Sequence, residues 1–304
     1  MERIAEILGL RNAKKYPGPQ PSALFRSDIG KIFKEDFVVS FKADGERFAL
    51  VVDGEDVFAS NIKHCVPDLG IRFPRKARIP GKCSVFDCEF VSPKSFLVFD
   101  AMMVMGEDVR GLDLRTRLKK ARWVVDGVSA QDKCPYAIAM KPVFPARDFE
   151  SVWAAHGAQS DGLVFTKVCH SFKVGTDTDI LKWKPRELNT VDFVMKMMLR
   201  MPRNEDEAKH EFALIPGTFR VLEFHVVADA GGLKPVFTFP AHAFGEEYSP
   251  GIWECAWDGS KWLPQRQRND KIAPNSEWVY RRNCKVIKEN ISIETIKQIM
   301  LNKL

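Results

Sequence analysis

The sequence lacks several features that would narrow its function class. It has no run of about 18 or more apolar residues, so no segment is predicted to span a membrane. Its N-terminus, Met1-Glu2-Arg3-Ile4, is charged and lacks the apolar core of a signal peptide, so we expect the protein to stay inside the cell. No internal repeat or low-complexity tract is visible.

Cysteine pairs of metal-binding spacing are also missing. The seven cysteines are scattered and form no Cys-x-x-Cys pair. This argues against a zinc site of ordinary spacing and against a disulfide scaffold, so most cysteines are expected to be reduced core residues. The net charge of +6 permits a polyanionic ligand but does not identify one.

The length and the residue patterns predict an α+β protein of two domains. The chain has 304 residues, which is near the size at which a single hydrophobic core stops growing. Residues 1–191 mix strand and helix patterns, whereas 192–290 contain short strands and glycine turns, which are typical of an OB-fold β-barrel. Helical periodicity returns in 291–304, and we expect this helix to pack back on the first domain.

The first domain contains the clearest strand and helix patterns. Strands are predicted, with a hairpin turn at Asp53-Gly54, over Phe37–Lys42, Arg47–Val52, Val57–Ser60, Ser84–Val91 and Phe96–Met102. A helix through Leu114, Leu118 and Ala121 is predicted to be capped by Asp113.

Lys42 is a candidate nucleophile. It ends an apolar strand that would hold its side chain, and the turn through Asp44-Gly45 would expose the tip. An amine nucleophile must be deprotonated, whereas free lysine has a pKa near ~10.4; burial and a nearby cation such as Arg47 would lower that pKa. Taken alone, the segment is more often a surface lysine before a hairpin turn.

Two further segments place carboxylates at strand ends. Asp87 and Glu89 are separated by one residue and therefore point to the same sheet face, where they could bind a ribose hydroxyl or a hard metal ion. Asp161 lies at the start of the apolar strand that follows Ser160. A solvated strand face and a simple turn are the alternatives.

Two basic segments suit phosphate. Lys182 and Lys184 share one strand face, and paired ammonium groups neutralise charge on a phosphate chain. In the second domain, Arg266 and Arg268 offer forked donors near Asp270 and Lys271. Charged surface segments are the alternative in both cases.

In this order, the segments resemble the covalent nucleotidyltransferase superfamily of RNA capping enzymes and polynucleotide ligases, most closely the messenger RNA guanylyltransferases. The resemblance extends from Tyr16-Pro17-Gly18-Pro19-Gln20-Pro21 to Lys271. It implies a nucleotidyltransferase domain of antiparallel sheets and flanking helices, followed by an OB-fold domain.

The resemblance also implies residue roles, all of them around the bound nucleotide. By this resemblance Lys42 is the nucleophile, Arg47 and Glu89 contact the ribose, and Phe99 stacks on guanine. Lys182 and Lys184 hold the α-phosphate, and Asp161 and Glu89 lie near the metal. Arg268, Asp270 and Lys271 orient pyrophosphate. One departure is Cys88, which stands where the family usually has glycine.

The implied reaction has two halves. Lys42 takes GMP from GTP with Mg²⁺ or Mn²⁺, and the lysyl-GMP then caps RNA that ends in a 5′-diphosphate. The chain is most similar to the single-function fungal type, which implies a nuclear protein whose partners are a separate RNA triphosphatase and the phosphorylated C-terminal tail of RNA polymerase II.

Two other functions stay open from the sequence. An ATP-dependent RNA or DNA ligase would use the same lysine with adenine, and nucleotide choice would separate it from a capping enzyme. A catalytically silent RNA-binding protein of the same fold would crosslink to RNA without being labelled by nucleotide. The presence of Lys42, Glu89, Lys182 and Lys184 argues against the silent protein.

Overall fold

The chain folds into two compact units. One comprises Met1–Lys184 with Ile293–Leu304, and the other comprises Pro185–Ser292. The computed structural model describes residues 1–11, 15–66, 69, 73, 78–79, 81–91, 94–127, 136–157, 160–170, 172–201, 219–240 and 249–302. Within these ranges, no helix has the length and apolar character needed to cross a bilayer.

The first unit contains twelve described strands and five described helices. The strands are β1 Pro19–Ala23, β2 Phe37–Ala43, β3 Glu46–Asp53, β4 Asp56–Ser60, β5 Cys65–Val66, β6 Ser84–Val91, β7 Ser95–Val104, β8 Glu107–Asp108, β9 Ala137–Met140, β10 Phe144–Pro145, β11 Ser160–Lys167 and β12 Gly175–Trp183. The helices are α1 Glu2–Ile7, α2 Arg26–Lys34, α3 Leu114–Val125, α4 Phe149–His156 and, at the C-terminus of the chain, α6 Ile293–Leu301.

These strands form two sheets. The smaller has the order β1-β12-β11-β2-β10, and the larger has the order β5-β4-β3-β6-β7-β8 with β9 alongside β7. Pairing is antiparallel except between β1 and β12 and between β7 and β9. The predicted α+β class with antiparallel sheets and flanking helices is therefore confirmed for this unit.

Strand β3 shows why the larger sheet is stable. Its apolar run has no polar alternation, as expected for a strand that is covered on both faces. Phe48, Leu50 and Val52 pack into one buried cluster, whereas Ala49 and Val51 pack into a second cluster on the other face. The sheet is thus held from both sides.

The chain passes from one sheet to the other directly after Lys42. Strand β2 belongs to the smaller sheet and β3 to the larger, and only Asp44 and Gly45 connect them. A Cβ on Gly45 would lie 2.3 Å from the carbonyl oxygen of Phe90, so this tight connection requires glycine. The candidate nucleophile therefore sits where the two sheets meet.

Helix α3 carries a buried ion pair that faces the larger sheet. Its cap is confirmed, because the Asp113 side chain accepts a hydrogen bond from the Thr116 amide at 3.1 Å. One turn later Arg117 is fully buried and donates to both carboxylate oxygens of Asp100 on β7, at 2.7 and 2.9 Å. It also donates to the carbonyl oxygens of Leu112 and His170, which satisfies the guanidinium.

The second unit is built on one antiparallel sheet. Its described strands are β13 Thr190–Arg200, β14 Phe219–Val227, β15 Leu233–Pro240, β16 Gly251–Trp257 and β17 Trp262–Gln267, and its described α-helix is α5 Glu277–Glu289. The strand order is β15-β14-β13-β16-β17. Five strands match the number in an OB-fold, which is itself partly open, but no closed barrel forms among the described residues.

Aromatic residues fill the core of this unit. Val191, Phe193 and Met195 alternate along β13 and are fully buried. The centre of the Phe193 ring lies 5.0 to 6.3 Å from the centres of four aromatic rings on β14, β15, β17 and α5. Offset and edge-on contacts of this kind stabilise a small core beyond the area they bury.

Breaking the Arg117–Asp100 pair is expected to destabilise the first unit. Arg117→Leu would leave Asp100 charged and buried, and the free energy of unfolding should fall by about 3–5 kcal/mol. Arg115→Leu on the same helix is the matched control, because its pair with Asp36 is exposed and worth at most about 1 kcal/mol. Urea denaturation measures both, and equal losses for the two variants would contradict the prediction.

Candidate active site

A cavity of about 140 Å³ lies between the two sheets of the first unit. The smaller sheet contributes β1, β2, β11 and β12 to its wall, and the larger sheet contributes β3, β6 and β7. The side chains that bear charge or π-electrons and line this cavity are those of Lys42, Arg47, Glu89, Phe99, Asp100 and Lys141. Four of the residues singled out from the sequence are therefore brought together here.

Lys42 and Lys184 share one carboxylate oxygen. Lys42 Nζ and Lys184 Nζ each lie 2.9 Å from Asp161 Oδ2, so the two ammonium nitrogens are at most twice that distance apart. Burial disfavours the Asp161 charge, but the hydrogen bonds and charges of the two lysines outweigh it and lower the pKa of Asp161. The cluster carries a net positive charge of one and therefore suits an anionic group.

Gly162 brings the strands of this cluster together. It has φ of +148°, and a Cβ there would lie 2.0 Å from the carbonyl oxygen of Trp183. The register between β2 and β11 shifts between Ser160 and Leu163, at the same point. Only glycine allows this approach, which places Asp161 within hydrogen-bond distance of Lys184.

Lys182 lies on the cavity face of β12. It pairs with Val164 of β11, and Ile180 pairs with Thr166; Val164, Thr166 and Ile180 all line the cavity. Because side chains directly opposite on paired strands point to the same face, Lys182 faces the same side of the sheet. The structure therefore places Lys182 on that side, and Lys184, which follows β12, lies in the Asp161 cluster.

Arg47 lines the cavity, and hydrogen bonds hold its guanidinium in place. Its guanidinium donates to both oxygens of Asp87 and to the Pro19 carbonyl oxygen, and Asp87 also accepts from the Tyr16 hydroxyl at 2.8 Å. Arg47 stacks over the Tyr16 ring at 4.4 Å. Asp87 is fully buried and occupied by these contacts, so its role is to orient Arg47.

Glu89 is the carboxylate of β6 that faces the cavity. Burial raises its pKa, and the positive charges of Lys42, Lys141 and Arg47 oppose that rise. The intervening Cys88 is fully buried and its thiol donates to the Phe48 carbonyl oxygen at 3.1 Å. Cysteine at this position therefore points into the core, away from any nucleotide in the cavity.

Phe99 and Lys141 form the far wall, and Lys141 was not predicted from the sequence. The Lys141 ammonium lies 5.6 Å from the Phe99 ring centre and 5.1 Å from that of Phe41. Burial lowers the pKa of Lys141 from 10.5 to about 8, with the charges of Glu89 and Lys42 acting in opposite directions. The signal in the sequence was Lys141-Pro142 directly after a short apolar strand, which is a weak pattern.

Arg268, Asp270 and Lys271 lie in the second unit and form a network there. Arg268 donates to both oxygens of Asp270 at 2.8 and 2.9 Å and pairs with Asp192 at 3.2 Å. Lys271 lies 3.9 Å from Asp192. These residues are thus adjacent to one another, and the Arg268 guanidinium is shared between carboxylates.

The carboxylates of the first unit fit a metal only in company with phosphate. No group of three or more His, Cys, Asp or Glu side chains that could hold an ion occurs among the residues described. Asp100 also lines the cavity but accepts from Arg117 with both oxygens, which leaves Glu89 and Asp161 as candidates among the described residues. Mg²⁺ is commonly held by one or two carboxylates together with substrate phosphates, so this pair suits an ion that arrives with a nucleotide.

Family models match nearly the whole chain. The model of the mRNA capping enzyme catalytic domain matches residues 1–186, and that of the mRNA capping enzyme C-terminal domain matches residues 188–297. The chain belongs to the mRNA capping enzyme family. The family resemblance that the motifs predicted is thereby confirmed.

Members of this family from animals and fungi are similar to the chain. The mRNA-capping enzyme of Danio rerio is 25% identical over 94% of this chain and 49% of its own length, so the chain spans about half of that relative. The mRNA-capping enzyme subunit alpha of Eremothecium gossypii is 30% identical over 95% of this chain and 78% of its own length. A solved structure of mycobacterial DNA ligase D with ATP and MES has 13% identity, covers 78% of this chain and 92% of its own, and gives a TM-score of 0.45.

The lowered pKa of Lys141 has a consequence for stability. Below pH ~8 Lys141 is charged in both the folded and the unfolded protein, and burial makes this charge unfavourable in the folded state. The resulting loss of stability disappears as pH rises from about 8 through 10.5. Lys141→Met should therefore raise the free energy of unfolding at pH 7, by at most about 3 kcal/mol, and the gain should shrink over that pH range.

Unfolding curves of both proteins at several pH values measure this difference. Lys34→Met at the exposed end of α2 is the matched control and should show a difference that does not vary with pH. A constant difference for Lys141→Met as well would contradict the prediction.

Proposed function

We propose that this chain is an mRNA guanylyltransferase that forms a covalent lysyl-GMP intermediate at Lys42. The observation that carries the proposal is the shared Asp161 oxygen, which holds Lys42 and Lys184 together at the edge of a cavity between two sheets. Membership of the mRNA capping enzyme family supports the same reaction. Lys42 supplies the nucleophile, and the other residues supply binding and electrostatics.

In the first half-reaction, Lys42 Nζ attacks the α-phosphorus of GTP and pyrophosphate leaves. Asp161 accepts a hydrogen bond from Lys42 and so holds its amine at the cavity, and the proton of the attacking amine leaves to solvent. Lys182 and Lys184 offset the charge on the transferring phosphoryl group. A divalent ion held with Glu89 and Asp161 would neutralise further phosphate charge.

Guanine is favoured over adenine by the wall that Phe99 and Lys141 form. Phe99 offers a face on which a base can stack, and the Lys141 ammonium beside it only donates hydrogen bonds. Guanine carries the O6 acceptor where adenine carries an amino donor. The buried Lys141 ammonium can therefore donate a hydrogen bond to guanine, whereas with adenine the ammonium and the amino group would be two donors facing each other.

In the second half-reaction, the lysyl-GMP meets RNA that ends in a 5′-diphosphate, and GMP passes to that end to give GpppN-RNA. Splitting one displacement into two lowers the barrier of each. The diphosphate substrate calls for a separate RNA triphosphatase, and the fungal relatives that are named subunit alpha support such a partner. Location in the nucleus and binding to the phosphorylated tail of RNA polymerase II stay predictions.

Replacing the nucleophile tests the proposal. Lys42→Arg keeps the positive charge beside Asp161 but cannot be deprotonated, so no lysyl-GMP should form. The measurement is incubation with α-labelled GTP and Mg²⁺ or Mn²⁺, followed by denaturing electrophoresis. Lys34→Arg is the matched control and should be labelled normally, because Lys34 is exposed on α2.

The same experiment with ATP separates a capping enzyme from a ligase. The unsubstituted chain should be labelled by GTP and little by ATP. A normal yield of adduct in Lys42→Arg would remove Lys42 from the mechanism, and preferential labelling by ATP would assign the chain to the ligase reaction instead.

The two half-reactions separate residues that hold pyrophosphate from those that hold the α-phosphate. Lys271→Ala should slow formation of lysyl-GMP by about 10²–10³ and affect GMP transfer much less, because pyrophosphate is absent from the second half. Lys184→Ala should slow both halves, since the α-phosphate is present in both. Single-turnover transfer from isolated adduct measures the second half, and equal defects of Lys271→Ala in both halves would mean that Lys271 only stabilises the second unit.

A further inference from the structure

A second cavity, of about 440 Å³, lies wholly within the second unit. Its volume falls in the range of small-molecule sites, roughly 300–1,000 Å³. Three aromatic side chains and three polar ones characterise its wall: Trp257, Trp262, Tyr280, Arg186, Lys288 and Asn290. None of the residues described in this wall carries a carboxylate.

The three rings form a slot. Trp257 and Trp262 are paired across the hairpin of β16 and β17, with ring centres 5.6 Å apart and planes at 68°. Trp262 is almost fully buried and contacts Tyr280 of α5 at 6.1 Å, whereas Trp257 and Tyr280 keep part of their surface exposed. The buried ring thus forms the base of the slot, and the two half-buried rings are available to a ligand.

The hairpin that carries the two tryptophans is preorganised. The Asp258 carboxylate accepts hydrogen bonds from the backbone amides of Ser260 and Lys261 at 2.7 and 2.9 Å. These bonds also lower the pKa of Asp258. A turn fixed in this way holds the rings in place before any ligand binds, which reduces the entropic cost of binding.

Two cations, Arg186 and Lys288, flank the slot. Neither forms an ion pair with any residue the structure describes, whereas Arg266, Arg268 and Arg281 of the same unit each do. The Arg186 guanidinium lies beside the hairpin turn, 4.0 Å from where a Cβ on Gly259 would be. Cations in this position, beside exposed aromatic faces, attract a ligand that is both anionic and flat.

We propose that this pocket binds one nucleotide of the single-stranded RNA substrate. The base stacks against Trp257 and Tyr280, and the adjoining phosphate pairs with Arg186 and Lys288. The inference rests on the proposed function for the presence of an RNA substrate. Stacking rings combined with phosphate-binding cations are typical of sites for single-stranded nucleic acid.

A phosphorylated peptide fits this wall less well. It would share the anion but needs partners for its backbone amides. Apart from the two cations and the Tyr280 hydroxyl, the wall offers chiefly the Asn290 amide for that purpose. A nucleotide needs fewer such partners, because most of its contact is through the ring face and the phosphate.

Replacing Trp257 tests the stacking contact. Trp257→Leu should weaken binding of a 5′-diphosphate oligoribonucleotide of about ten nucleotides by about tenfold or more, measured by fluorescence anisotropy. Trp278→Leu is the matched control, because Trp278 is half-exposed on α5, stacks on Arg282 and lies outside the pocket wall. It should bind RNA like the unsubstituted chain.

Replacing the cations tests the phosphate contact without touching the core. Arg186→Gln with Lys288→Gln should reduce the slope of log affinity against log salt by roughly 0.7 for each phosphate that is no longer neutralised. Lys285→Gln on the same helix is the control, since Lys285 pairs with Glu289 and lies outside the wall. All variants should still form lysyl-GMP normally, because that step uses no RNA.

Two results would overturn the proposal. One is RNA affinity and salt slope that are unchanged in both pocket variants. The other is loss of binding to a phosphoserine–proline peptide in these variants while RNA binding stays intact, which would assign the pocket to a peptide. Failure of the unsubstituted chain to form an adduct with GTP would count against the proposed function alone, because RNA binding is measured without GTP.

Discussion

The single carboxylate oxygen of Asp161 is the contact on which the candidate site depends. It accepts hydrogen bonds from both Lys42 and Lys184, which would otherwise repel each other at that distance. Gly162 makes the contact possible, because it lets β11 approach the backbone of β12. In the proposed reaction, the phosphate would take the place of this carboxylate as the partner of Lys184, with the neutral amine of Lys42 beside it as the nucleophile.

The rest of the first unit supports this contact with buried polar pairs. The Arg47 side chain is held at the cavity by Asp87, which also accepts a hydrogen bond from Tyr16. Asp100, on the wall of the same cavity, is held by Arg117. Such pairs contribute little net stability, but removing one partner leaves a buried charge. Their value is therefore positional, since they keep charged groups at the cavity in one geometry before a nucleotide binds.

Strands were predicted well from the sequence where their pattern is local. The role of a residue could not be predicted where it depends on tertiary contacts. The strands that flank Lys42 and the cap at Asp113 follow from apolar runs and turn residues. Helix α5 was not predicted because its surface is strongly charged, although Tyr280, Cys284 and Ile287 repeat at helical spacing and pack into the core. Lys141 could not be recognised, because only folding buries it beside Phe99. The OB-fold barrel stays a prediction, as do the roles of the named site residues.

The central claim is that Lys42 becomes covalently linked to GMP. The most direct measurement is peptide mapping by mass spectrometry after the unsubstituted chain has been incubated with equal concentrations of GTP and ATP and a divalent metal. We expect GMP, and little AMP, on the peptide that contains Lys42, linked through a bond that is cleaved by acid and stable in alkali. Modification of a different lysine, or AMP as the main adduct at Lys42, would contradict it.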